Sequence, residues 1–144
     1  MNRVADILAV KGSRVHSVTP ETTVYEAVAR MVDHDIGSLL VVEGSKPAGI
    51  FTERDHLRRV TVPNRDPRFT PVRQVMTTRL ISVSPERTIE ECMAIMTGQR
   101  LRHLVVTEGE RVVGLISIGD LVKQVSEARE TEIRHLTQYI TGTA

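Results

Sequence analysis

The chain is predicted to be a mixed α/β (α+β) protein made of two copies of one βαββα unit. Two observations predict it. Residues Ser17–Val60 match Ser82–Val125 without a gap, and each copy carries short β-type runs around one helical stripe. Ser17-Val18-Thr19-Pro20-Glu21 falls on Ser82-Val83-Ser84-Pro85-Glu86, Glu43-Gly44 on Glu108-Gly109, Gly49 on Gly114, and Asp55 on Asp120. A unit of about 50 residues is too small to hide a full core alone. The two copies are therefore expected to pack on each other about a pseudo-twofold axis, with equivalent clefts at the seam.

Each element has its own justification. Val15–Val18 and Leu80–Val83 are short β-type runs that stop at Pro20 and Pro85, whose fixed φ suits the approach to a helix. Val24, Ala27, Val28 and Met31 then fall at i, i+3, i+4 and i+7, and Ile89, Cys92, Met93 and Met96 repeat the stripe. Leu39–Val42, a turn at Glu43-Gly44-Ser45-Lys46 and a strand ending at Phe51 read as a hairpin. Leu104–Thr107, Glu108-Gly109-Glu110 and Val112–Ile116 read the same way. A closing helix begins at Thr52 or Ser117. Short helical leads, Val4–Leu8 and Val72–Met76, precede the first strand of each copy, with a longer gap through Ala9–Arg14 in the first. Taken along the sequence, the organisation is 1–66, a first repeat with its lead; 67–130, a second repeat; and 131–144, a helical tail. In that tail Ile133, Leu136, Tyr139 and Ile140 share one helical face that needs a partner, its own chain or a second subunit.

Composition narrows the function. The 144 residues carry a net charge of +1, no Trp and only 3% aromatic residues, which disfavours both a nucleic-acid footprint and base-stacking platforms. One cysteine, Cys92, permits no intrachain disulfide, and no apolar run approaches a membrane span. A cytoplasmic protein is expected. Arg58, Arg59, Arg65, Arg68 and Arg73 crowd the stretch from Arg54 to Arg79 against Asp55 and Asp66, either as a solvated linker face or as a surface that meets phosphates.

The chemistry concentrates where the third strand of each copy meets its closing helix. Gly49-Ile50-Phe51-Thr52-Glu53-Arg54-Asp55 and Gly114-Leu115-Ile116-Ser117-Ile118-Gly119-Asp120 both place a hydroxyl three residues before an aspartate. One reading is a capping box, with the carboxylate reaching back to the cap. The other is a ligand site. There the helix N-terminus and hydroxyl face a phosphate, and the carboxylate accepts both hydrogen bonds of a ribose cis-diol. Spacing alone leaves both open.

The paired Ser-Val-Thr-Pro and Ser-Val-Ser-Pro segments, Ile36–Val42, Leu101–Val106 and the two Gly-x-x-[Thr/Ser]-x-x-Asp segments together resemble a tandem cystathionine-β-synthase (CBS) domain pair, or Bateman module. Phe51–Asp55, which includes Arg54, is similar to short stand-alone members. The resemblance implies a regulatory or sensor module that binds an adenosine derivative (AMP, ADP, ATP or NAD(H)) in the clefts between the two domains, with no other cofactor required. It implies ribose hydroxyls on Asp55 and Asp120 and phosphate near Thr52 and Ser117. Arg102 and His103 match phosphate-binding positions. The nucleotide-binding candidates are thus Thr52, Arg54, Asp55, Arg102, His103, Ser117 and Asp120. Gly37 and Ser38 stand where Arg102 and His103 stand in the second copy, so the two sites are expected to differ. A homodimer, a regulated partner protein, and no nucleic acid or membrane complete the expectation. The alternative is a structural or adaptor dimer that acts on a partner without a ligand.

Other signals carry less. Gly44–Gly49 and Gly109–Gly114 have P-loop spacing but lack the following Lys-[Ser/Thr], so they read as hairpin glycines. The five histidines and Cys92 lack metal-ligand spacing, and no catalytic grouping emerges. A catalytic or metal role is not expected, and the chain is read as a non-enzyme.

Overall fold

A computed structural model describes the backbone of residues 2–141 and the side chains of residues 2–138. In chain order its elements begin with α1 (Val4–Lys11), β1 (Ser17–Val18), α2 (Val24–His34), β2 (Ser38–Glu43), β3 (Lys46–Thr52) and α3 (Glu53–Asp55). There follow β4 (Ser82–Val83), α4 (Ile89–Gln99), β5 (His103–Glu108), β6 (Arg111–Ser117) and α5 (Ile118–Thr141). Strands β1-β2-β3 form one sheet and β4-β5-β6 a second. In each, the outer pair is parallel and the hairpin pair antiparallel. The duplicated βαββα pattern is present in both copies.

The structural units do not follow the sequential boundaries. One unit is Val15–Leu80; the other joins residues 2–14 to residues 81–141. The lead thus packs in the unit of the other repeat. In the first unit, Val72 of a short 3₁₀ turn, Val72–Gln74, and Val75 just after it enter the core of Val18, Val24, Ala27, Met31, Leu39, Val41 and Phe51. In the second unit, α1 gives Val4 and Ile7 to the core of Val83, Ile89, Cys92, Met96, Leu104, Val106, Ile116 and Leu121. Backbone bonds fix both docks: Thr77 and Ile50 exchange N–H···O=C bonds of 2.8 and 2.9 Å, while Val4 donates to Arg87 and Ile89 to Asn2. Apolar burial supplies the driving force, because each lead hides side chains that would otherwise face water.

Two glycines admit the leads. Gly44 and Gly109 adopt positive φ in the two-residue hairpin turns, as expected. Gly49 and Gly114 lie within the hairpin strands β3 and β6, as the sequence reading has them. A Cβ on Gly49 would stand 2.7 Å from Met76 Sδ and 2.8 Å from the Thr77 carbonyl oxygen; on Gly114 it would stand 2.6 Å from Leu8 Cδ2. The missing side chain lets the lead lie against the strand.

The closing helices differ. After one α-helical turn, α3 continues as a π-helical stretch, His56–Thr61. Its counterpart α5 is a single helix through Thr141, so the sequence boundary at residue 130 has no structural break. Beyond Val125 its described side chains are exposed, among them Ile133 and Leu136; those of Tyr139 and Ile140 lie outside the described residues.

Candidate functional site

The hairpin register sets each junction. Ser38 pairs with Thr52, and His103 with Ser117. The first residue of each closing helix then donates back to the start of the middle strand: Glu53 N–H to the Gly37 carbonyl at 3.1 Å, Ile118 N–H to the Arg102 carbonyl at 2.9 Å. This brings Arg102, His103, Ser117 and Asp120 to one corner of the second unit. Gly37, Ser38, Thr52 and Asp55 meet at the equivalent corner of the first.

At the first corner the capping-box geometry is complete. The Thr52 N–H and hydroxyl donate to Asp55 Oδ2 at 3.0 and 3.1 Å, and the Asp55 N–H donates to Thr52 Oγ1 at 3.1 Å. The lead closes the other side: the Thr77 hydroxyl donates to Asp55 Oδ1 at 3.1 Å, and Arg59 Nε stands 3.9 Å from the same oxygen. Asp55 is only 7% exposed.

The second corner keeps the cap but changes the outer partner. The Ser117 N–H donates to Asp120 Oδ2 at 2.8 Å, and the Asp120 N–H to Ser117 Oγ at 3.2 Å. Lys11, the last residue of α1, donates through Nζ to Asp120 Oδ2 at 2.7 Å and to the Leu115 carbonyl at 2.8 Å. Lys11 therefore does two jobs that Thr77 does in the first unit, where its backbone N–H meets Ile50 and its hydroxyl meets Asp55. The Asp120 side chain is 23% exposed. Partial burial pushes its carboxyl up, but the Lys11 ammonium and the Ser117 donors outweigh that and hold it below its ordinary 3.8.

Arg102 is exposed beside this corner, whereas Arg54 is exposed on α3. The arginine-rich run is not one uniform face, because several of its members brace the first unit itself. Arg59 donates to the Val75 and Met76 carbonyls, Arg65 to Gln74, and Arg73 to Glu21, while Arg68 lies 4.8 Å over the Tyr25 ring. Sequence reasoning missed Lys11 and Thr77. Their only advance signal was the unequal gap between lead and first strand.

The CBS domain family model matches residues 4–60 and again residues 72–127. This chain belongs to the CBS domain family. Tandem CBS domain pairs are generally regulatory modules, and no catalytic family is indicated. Among curated relatives, the mitochondrial CBS domain-containing protein CBSX3 of Arabidopsis thaliana is 36% identical over 148 residues, covering 96% of this chain and 72% of that one. A solved structure of a candidate signal-transduction protein with CBS domains from Burkholderia ambifaria MC40-6 superposes with a TM-score of 0.80. It is 45% identical and covers 85% of this chain and 93% of its own. A hexameric CBS-CP12 protein from bloom-forming cyanobacteria superposes with a TM-score of 0.76 at 25% identity, covering 83% of this CBS pair and 66% of its own chain. Among the described residues no helix is long and apolar enough to cross a membrane.

Proposed function

We propose that this CBS pair is a regulatory sensor that binds an adenine nucleotide (AMP, ADP, ATP or NAD(H)) at the junction of β6 and α5. The observation that carries the reading is Asp120: a partly exposed carboxylate, held ionised by Lys11, at the start of a long helix. An ionised carboxylate accepts hydrogen bonds from both hydroxyls of a ribose, and neutral groups do so less strongly. Ser117, Arg102 and His103 lie at the same corner and suit the phosphate side of such a ligand. Nucleotide binding then supplies the signal, and a change in how the module meets a partner supplies the output.

Thermal melting and calorimetry with AMP, ADP, ATP and NAD(H) test this. A ligand at 100 times its Kd adds about 2.7 kcal/mol of stability. Flat melts and silent calorimetry at millimolar ligand would end the nucleotide reading.

The second reading is a ligand-free adaptor, favoured by the capping bonds that both aspartates make and by the exposed apolar residues Val122, Ile133 and Leu136 on α5. Either way we propose a homodimer with C₂ symmetry, in which one exposed face serves both copies. The hexameric CBS-CP12 relative supports self-association. Light scattering at roughly tens of micromolar is expected to report a dimer, weakened when residues after Thr131 are removed; a clean monomer would remove this part. Cytoplasmic placement belongs to the same proposal, and the mitochondrial relative makes cell fractionation the deciding measurement.

A further inference from the structure

We infer that the two junctions have diverged: Asp120 is the single ribosyl acceptor of the chain, positioned by Lys11, and Asp55 is a structural cap that takes no ligand. The inference rests on the nucleotide reading for what Asp120 binds, and on geometry for which aspartate is open.

Acceptor capacity separates the two carboxylates. Both oxygens of Asp55 are engaged, Oδ2 by Thr52 and Oδ1 by the Thr77 hydroxyl with Arg59 nearby. A ribose would have to displace local donors from a side chain that is 9% exposed. At Asp120 the Ser117 N–H and Lys11 Nζ converge on Oδ2, and no hydrogen bond from a described residue is made to Oδ1. That oxygen remains available on a side chain with 23% exposure.

Charge separates them again. The counterpart of Arg102 is Gly37, and the Glu53 carboxylate fills the space a side chain would need there: its Oε1 stands 2.9 Å from the position of a Cβ. An anionic ligand at the first corner meets Glu53 beside Arg59, whose guanidinium already faces Asp55. At the second it meets Lys11, Arg102 and His103. Lys11 acts through Asp120 as a positioning residue, because it holds one carboxylate oxygen and leaves the other to accept from a ligand.

Two measurements test this, one of them independent of any nucleotide. Carbodiimide with glycinamide couples accessible carboxylates to amines, and peptide mass mapping locates the products. Asp120 is expected to couple, to glycinamide or to Lys11 itself with loss of water, while Asp55 stays unmodified. Equal coupling of both, or coupling of Asp55 alone, overturns the inference. Calorimetry with AMP is expected to give one equivalent per chain, at least tenfold weaker in Asp120→Asn. It is expected to be changed less than threefold in Asp55→Asn and in Thr77→Val, which keeps the Asp55 charge in case the first variant fails to fold. Two equivalents, or a tenfold loss in Thr77→Val, overturns it. Silent AMP calorimetry with selective coupling at Asp120 removes the nucleotide reading and leaves the open and closed carboxylates standing.

Discussion

A lysine in the lead and a threonine in its twin hold equivalent aspartates by different means, and pH separates them. Asp120 owes its lowered proton affinity to Lys11 and Ser117 acting against partial burial. A carboxyl whose folded-state pKa lies below its unfolded value adds stability above the unfolded value, and that stability is lost as pH falls through the folded one. Lys11→Met removes the ammonium and leaves the burial, so acid unfolding of the variant, followed by circular dichroism, is expected to begin at a higher pH than in the parent. An unchanged acid limb would mean that Lys11 is a solvated surface charge. The aspartates and their hydroxyl partners were legible in the sequence because a capping box and a ribose acceptor share one spacing. Lys11 and Thr77 were not, because they reach their aspartates across 109 and 22 positions, and no local pattern encodes such a contact.

Docking of each lead on a β-strand depends on what an added methyl group would strike. At Gly49 it meets the Thr77 backbone oxygen as well as Met76; at Gly114 it meets only the tip of Leu8, a side chain that can rotate. Overpacking typically costs about 1–3 kcal/mol. Gly49→Ala is expected to fall in that range by urea denaturation, and Gly114→Ala below it. The reverse order would show that the second lead is seated more rigidly than its contacts imply. Strands, hairpins and both long helical stripes were readable from period and turn residues, and Val24, Ala27, Met31, Ile89, Cys92 and Met96 are buried as the stripe requires. Sequence reasoning placed Gly49 and Gly114 in the second strand of each hairpin, where they lie, but not the lead that each admits. The turn glycines Gly44 and Gly109 have positive φ and open space where a Cβ would stand, whereas a Cβ on Gly49 or Gly114 would strike a lead.

The whole chain is a duplicated sequence whose leads have changed places, so sequence neighbours and structural neighbours diverge. Val4 and Ile7 are 0% and 4% exposed in the core of the second unit. Removing a large buried aliphatic side chain costs about 2–5 kcal/mol. Deleting residues 1–14 is therefore expected to collapse hydrogen-exchange protection in residues 81–125 while residues 15–80 keep theirs; loss confined to residues 15–80 would contradict the exchange of leads. The same arrangement carries a consequence for synthesis. The unit Val15–Leu80 is continuous, so it can close while later residues are still being added, in line with domains forming as units in order of emergence. The second unit needs residues 2–14 and residues 81–141 together, with Arg3 paired to Thr88. Closing that span is a slow, non-local step. Until it closes, Val4 and Ile7 wait as two core side chains in water, the interval in which a chaperone or a protease has its chance.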